Sequence, residues 1–430
     1  MSDLTVASDS TYLEDAFRWA RQRALDWVQT GAAAANLPSY WAGYPSRTMF
    51  YSRDVCHQAI GAHLLGLDAE NFAMMRHFAR SATEPRKWYP LWAFHFDGAI
   101  AEIDYQSDDR FVREIPAVFD VTYRAIEQYA WTGDRQWIDD PDLWGYYHRS
   151  VEEFVAAHDH DGDGIPEGTG SGDIFAGTAT YNEHADAPLI VAADGLAMQF
   201  RALLAVAGLH DGGDDATAER YRKIAEGLRQ HYLVDWWNEA AGHFARGWTA
   251  AGFGFDWGLE DTWFPAMLGL SGAGKQNERF LDYVEAGLAS GDPIGLEAST
   301  YLPELFFRHG RDESAWRWLR HVIDTRDDYP EVSYTVVQNL VAGLLGLEPD
   351  AAAATLTITS HLPAEIGWLE ADHVKVGGWD LRIRQEQRHT TEISVHSGPG
   401  PLTVTIGSAA RTLEPGETAR VATPQTKDAS

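Results

Sequence analysis

Residues 158–175, His-Asp-His-Asp-Gly-Asp-Gly-Ile-Pro-Glu-Gly-Thr-Gly-Ser-Gly-Asp-Ile-Phe, form an acidic, glycine-rich stretch ending on one carboxylate, Asp173, between Gly172 and the apolar pair Ile174-Phe175. A glycine ahead of an acid allows a sharp backbone turn that projects the side chain, and apolar neighbours raise its pKa toward that of a proton donor. Cleavage of a glycosidic bond needs such an acid and a second carboxylate opposite it. The competing reading of the same stretch is a solvated, calcium-type turn. Asp159, Asp161 and Asp163 alternate before Gly164 as in the opening half of an EF-hand loop, but Gly170 stands where that loop needs a bidentate glutamate. An EF-hand is excluded, and calcium held by Asp159, Asp161 and Asp163 with Glu167 is the one metal reading left.

A second stretch, Trp41-Ala-Gly-Tyr-Pro-Ser-Arg-Thr-Met-Phe-Tyr-Ser-Arg-Asp-Val-Cys-His-Gln, mixes aromatic and charged side chains just ahead of a helix. Arg53, Asp54 and His57 fall on its first turn, with Asp54 and His57 three apart on one face. Asp54 either caps that helix or accepts from a sugar hydroxyl, with Trp41 or Tyr51 as a stacking platform. Arg86-Lys87-Trp88-Tyr89-Pro90-Leu91-Trp92 repeats the combination. Further acids, Glu260 beside Trp263, then Asp261, Glu297 and Glu331, stand just before or at the start of helical patterns, where carboxylates are favoured for reasons unrelated to catalysis. Among them Glu331 is chosen as the partner of Asp173, because Tyr329-Pro330 fixes the backbone ahead of it and it opens the last long helix.

The elements that must bring these groups together are helical. From about residue 11 to residue 347 apolar residues recur at three and four, over 13–28 and roughly 54–66, 69–82, 92–103, 111–131, 146–157, 187–208, 215–234, 261–270, 276–289, 297–309, 312–324 and 332–346, giving about thirteen helices. Gly66, Gly133 and Gly346 each follow an apolar helical run, the place where a helix closes in the left-handed conformation. Short links imply antiparallel neighbours, and the absence of a strict repeat favours a closed ring of six hairpins over a solenoid. Residues 1–349 are read as this barrel. After Pro349 the period becomes two, so 350–423 reads as a small antiparallel β domain, followed by a disordered tail at 424–430.

Composition narrows the ligand. The 430 residues include 17 Trp, 17 Tyr and 18 Phe, more rings than a core demands, and Trp and Tyr faces suit the C–H surface of a sugar. With 34 basic and 64 acidic side chains the formal charge is −30, an unfavourable field for nucleic acid or an anionic membrane. Cys56 is the only cysteine, so no internal disulfide forms. The first ten residues carry neither a basic nor an apolar signal region, which reads as a soluble cytoplasmic protein. The oligomeric state stays open.

Tyr44-Pro-Ser-Arg-Thr-Met-Phe-Tyr-Ser-Arg-Asp-Val is similar to a trehalase-type signature, Ser171-Gly-Asp-Ile-Phe to the loop carrying the acid, and Asp161-Gly-Asp-Gly-Ile-Pro-Glu to the segment upstream of it. The end of the chain, with Leu345-Gly-Leu-Glu-Pro-Asp and Val-Gly-Gly-Trp-Asp-Leu, resembles rhamnosidase-like tails. On these motifs the chain resembles the six-hairpin glycosidases, a superfamily that includes trehalases, processing α-glucosidases and bacterial α-L-rhamnosidases. It lacks the trehalase Gln-Trp-Asp-Tyr-Pro motif and the acidic cluster of rhamnosidases, so neither specificity carries over. The resemblance implies a mainly α (α/α)6 toroid with a small C-terminal antiparallel β domain and an exo-acting, inverting glycoside hydrolase without organic cofactor. Asp173 would be the acid and Glu331 the base, with Trp41, Tyr51, Arg53, Asp54, His57, Arg86, Trp88, Glu260 and Trp263 around the sugar. A lyase or uronic-acid-specific enzyme on the same toroid, and a carbohydrate-binding protein without turnover, are the alternatives.

Overall fold

All three glycine stops are used as expected: Gly66, Gly133 and Gly346 have φ of 78°, 61° and 64°. The computed structural model describes residues 3–102, 105–108, 110–168, 179–183, 189–290, 294–387 and 389–422. Among them, six helical positions form an inner ring: Ser52–Leu64, Ile115–Thr132, Ala193–Leu209, Glu260–Met267, the pair Leu296–Thr300 and Leu302–Arg308, and Pro330–Gln338. The last packs against the first and closes the ring. Gly61 permits that closure, since a Cβ there would lie 2.2 Å from the Tyr334 carbonyl oxygen. Thr11–Asp26, Asp68–Ser81, Pro141–Val151, Asp215–Asp235, Lys275–Ala289 and Asp312–Thr325 pack outside them. Their apolar stripes face inward; Asp312–Thr325, for example, buries Ala315, Trp316, Leu319, Val322 and Ile323. No helix among the described residues is long and apolar enough to cross a membrane.

Several boundaries differ from the sequence expectation. The run 92–103 is not a helix: Ala93–His95 is a strand paired with Met49–Tyr51, because a short aromatic run packs equally well in either form. The run 297–309 breaks at Tyr301, before Pro303, and 332–346 passes from α-helix into a π-helical turn at Asn339–Gly343. Short strands at Val191–Ala192, Gly247–Thr249 and Gly252–Gly254 form a rim sheet that periodicity alone does not reveal.

The C-terminal region has a five-stranded and a four-stranded sheet, antiparallel except where Thr355–Ile358 runs parallel to Leu402–Ile406. Thr5–Ser8, read from sequence as part of the barrel span, pairs as an edge strand with Trp368–Val376. The β domain covers the C-terminal ends of inner helices by capping them. Ala351 N–H donates to the Ala130 carbonyl and Gly377 N–H to that of Trp131, both at 2.7 Å, while His361 N–H donates to Leu344 at 3.0 Å. The N-terminal ends are left for other work. Residues 423–430, which include the tail expected to be disordered, lie outside the described residues.

Candidate active site

Every inner helix carries a carboxylate at its N-terminal end. Asp54, Asp194, Glu260, Asp261, Glu297 and Glu331 lie within first turns, and Glu114 immediately precedes one. Helix dipoles favour acids there. Convergence of six such ends on one rim crowds them, and the cations that pair with them among the described residues are Arg53 and Arg246.

A cleft of about 160 Å³ opens in this rim. Tyr44, Tyr51, Trp92 and Tyr329 supply its rings, and Arg47, Arg53, Asp54, Glu183 and Glu297 its charges. Arg53 is its centre: the buried guanidinium donates to the Tyr181 carbonyl at 2.9 Å, pairs closely with Glu297 and lies 3.5 Å from Glu183. Tyr329 Oη is 3.3 Å from both Asp54 Oδ1 and Glu297 Oε2, so one phenol spans the two carboxylates. Among the described residues Arg47 donates to the Tyr51 hydroxyl alone, at 3.2 Å.

Beneath the cleft the support is buried and polar. Asp194 accepts from the Thr180 hydroxyl at 2.8 Å and the Tyr181 N–H at 2.7 Å, which fixes the segment whose carbonyl holds Arg53. Asn182 donates to Asp261, itself paired with Arg246 at 2.8 Å. Burial without enough positive charge pushes these acids up: Asp54 to about 6, Asp194 to about 7, Glu114 and Glu260 to about 8. Arg53 opposes the shift in Asp54, Glu114 and Glu260. Glu331 is pushed far up, first by burial and then by the neighbouring Asp54.

Of the residues singled out in the sequence, Tyr51, Arg53 and Asp54 line the cleft. Glu331 does not: it is completely buried beside Asp54, and among the described residues no N–H or hydroxyl donates to its carboxylate oxygens. His57 is also behind the wall, stacked on Tyr301 at 3.6 Å and 2.8 Å from Thr300 Oγ1, and burial lowers its pKa to about 3, so it is a neutral packing group. Trp41 packs between Trp27 and Phe96, and Trp263 is fully buried against Trp257, so neither offers a ring face to the cleft. Glu260 is on the rim but buried. Arg86 and Trp88 do not line the cleft; Arg86 lies over Tyr105 and Phe111, and Trp88 beneath Arg149. Asp173, the expected acid, lies outside the described residues.

Asp159, Asp161 and Asp163 hold carboxylate oxygens within 4.8 Å of one another. These oxygens accept from the N–H groups of Gly162, Asp163, Gly164 and Ile165, and Glu167, the expected further ligand, accepts from His160 instead.

Sequence reasoning missed Tyr329 as a cleft residue, and kept Glu297 only as one of several helix-start acids. The usable signal was the repetition itself: an acid at the start of every inner helix marks a shared rim.

No family model and no curated protein matches the sequence. Solved structures do match. A family GH78 rhamnosidase of Bacillus sp. GL1 aligns over 94% of this chain and 43% of its own, with a TM-score of 0.68 and 13% identity. A putative kojibiose phosphorylase from the human microbiome aligns over 98% and 63%, with a TM-score of 0.65 and 9% identity. The α-L-rhamnosidase of Aspergillus terreus aligns over 99% and 50%, with a TM-score of 0.64 and 12% identity. The chain spans about half the length of these rhamnosidases. The likeness is one of fold, a six-hairpin (α/α)6 barrel with a β domain, as the sequence resemblance implied.

Proposed function

We propose that the chain is a glycoside hydrolase that removes a terminal sugar from an oligosaccharide or glycoside with inversion at the anomeric carbon. One observation carries the reading: the cleft gathers Asp54, Glu183 and Glu297 around Arg53, with four aromatic rings, where six helix N-termini converge. Carboxylates and a guanidinium bind sugar hydroxyls, the rings take the C–H faces, and the cleft, about 160 Å³ between the described residues, suits one ring better than a chain.

Asp173 protonates the leaving oxygen in this scheme, as its sequence setting suggests. The water is activated by the Asp54–Glu331 pair, which titrates as a unit: Asp54 is the member that reaches the cleft, and its value of about 6 suits a base working near neutrality. Glu331 is the buried partner that retains the proton. Glu297, engaged by Arg53 and Tyr329, positions a sugar hydroxyl. An inverting pair requires Asp173 and Asp54 to stand about 6.5–9.5 Å apart across the sugar.

Aryl glycosides and uronides offered to the purified protein test this, with the first-formed anomer read by proton NMR. Hydrolysis to the inverted product, abolished in Asp173→Asn, is expected. Retention, release of an unsaturated product absorbing in the near ultraviolet, or binding without any cleavage would overturn it. Arg47, whose guanidinium meets Tyr51 alone among the described residues, favours one narrower version in which the sugar carries a carboxylate; preference for uronides would identify it.

A further inference from the structure

A second cavity, about 470 Å³, lies away from the carboxylate rim, among the C-terminal halves of the inner helices and the link into the β domain. Tyr123, Trp131 and Phe307 give it aromatic walls. The π-helical turn Asn339–Gly343 forms one edge, an irregularity often found where helices line a site.

Most charged groups there satisfy one another. Arg308 donates to Glu304 at 2.7 Å, and Arg124, beneath, to Glu127 at 2.7 Å. Two polar groups are left over. Gln338, 5% exposed, donates through Nε2 to Glu304, but its buried Oε1 accepts from no donor among the described residues. Arg201, half-buried, lies 5.0 Å from the Tyr123 ring centre and has no hydrogen bond or ion pair among the described residues. An unpaired acceptor and an unpaired donor on one cavity call for a ligand group that does both, and hydroxyl is that group. A carboxylate ligand would meet Glu127 and the exposed Glu348 as well as Arg201, and an ammonium would meet Arg201 and Arg308. Several hydroxyls on a body with flat C–H faces describe a neutral sugar or cyclic polyol.

We infer that this cavity is a second binding site, for a neutral saccharide, separate from the cleft at the carboxylate rim. The inference stands on the lining of the cavity and not on hydrolysis at the other end, so either can fail alone. The test is saturation-transfer NMR and calorimetry on the full chain with D-glucose, L-rhamnose and myo-inositol, alongside glucuronate and glucosamine. At least one neutral probe is expected to bind. Its affinity should fall about tenfold or more in Arg201→Gln, which retains the cavity's shape, and in Ala205→Trp, which fills it, while persisting in Asp54→Asn. Tighter binding of a charged probe, no binding by any neutral one, or binding lost in Asp54→Asn but unchanged in Arg201→Gln would overturn the site.

Discussion

At the N-terminal rim of the barrel Asp54, Asp194, Glu114 and Glu260 are held between about 6 and about 8, whereas near the C-terminal rim Glu304 is held down to about 2. Burial does not separate them, since all are buried. Pairing does. Glu304 lies 2.7 Å from Arg308 and 3.6 Å from Arg124, and Arg124 also holds Glu127, so two ionised acids meet two bases, while the third acid there, Asp120, 3.7 Å from Arg124, is pushed up by burial to about 7. The N-terminal rim gathers acids from every inner helix around far fewer cations. Buried charge without a partner opposes folding, and its retention marks the rim, not the balanced end, as the place where function overrides stability.

The sharpest way to break the comparison is at the rim. Asp54→Asn removes the carboxylate proposed to activate water, so kcat on any glycoside the parent hydrolyses should fall by about 10²–10⁴, with the melting temperature unchanged or raised. Near-normal turnover in that variant would remove the Asp54–Glu331 pair from the mechanism and leave Glu297 as the candidate. At the balanced end the expectation reverses. Arg124→Ala leaves Glu127 and Glu304 without their buried partner and should cost about 3–5 kcal/mol in urea unfolding at neutral pH. A loss no greater than a surface substitution produces would show that the cluster is not the stabilising element described.

How far the sequence foretold this follows from the same contrast. The ring of hairpins was readable because helix periodicity and terminal glycines are local signals, and Gly66, Gly133 and Gly346 each end a helix. The strand Ala93–His95 was not, because its partner Met49–Tyr51 is supplied by tertiary pairing. Arg53 and Asp54 were found because charge and aromatics cluster around them in sequence. Tyr329 was missed because it reaches the cleft only through the fold. Trp41 and Trp263 were misjudged as ligand platforms for a related reason. A barrel of paired helices has an interface inside and outside each inner helix, and Trp137, Trp236 and Trp263 are entirely consumed in filling such interfaces.

Stability should follow pH in a way that separates the two rims. The raised acids of the N-terminal rim, with ordinary values of 3.8 and 4.5, bind more protons folded than unfolded up to about pH 8. Their contribution is complete below about pH 4 and is lost as pH rises through 6 to 8. Glu304 acts oppositely: its contribution is present above 4.5 and lost as pH falls toward 2. The melting temperature should therefore peak at about pH 4 and decline toward 8. Calorimetric scans across that range check it, and a peak at or above pH 7 would contradict the unpaired rim.

The smallest effect is also the most specific. Glu183 lies across the cleft from Asp54, and its charge raises the Asp54 pKa, while Arg53 lowers it. If Asp54 is the member of the pair that must be ionised, kcat/KM should climb through an acid limb near 6. Glu183→Gln removes a like charge without opening space, so the limb should move to lower pH by a fraction of a unit. A limb that moves upward, or one that stays fixed while KM alone changes, would mean that Glu183 acts only as a sugar contact and that another group sets the acid limb.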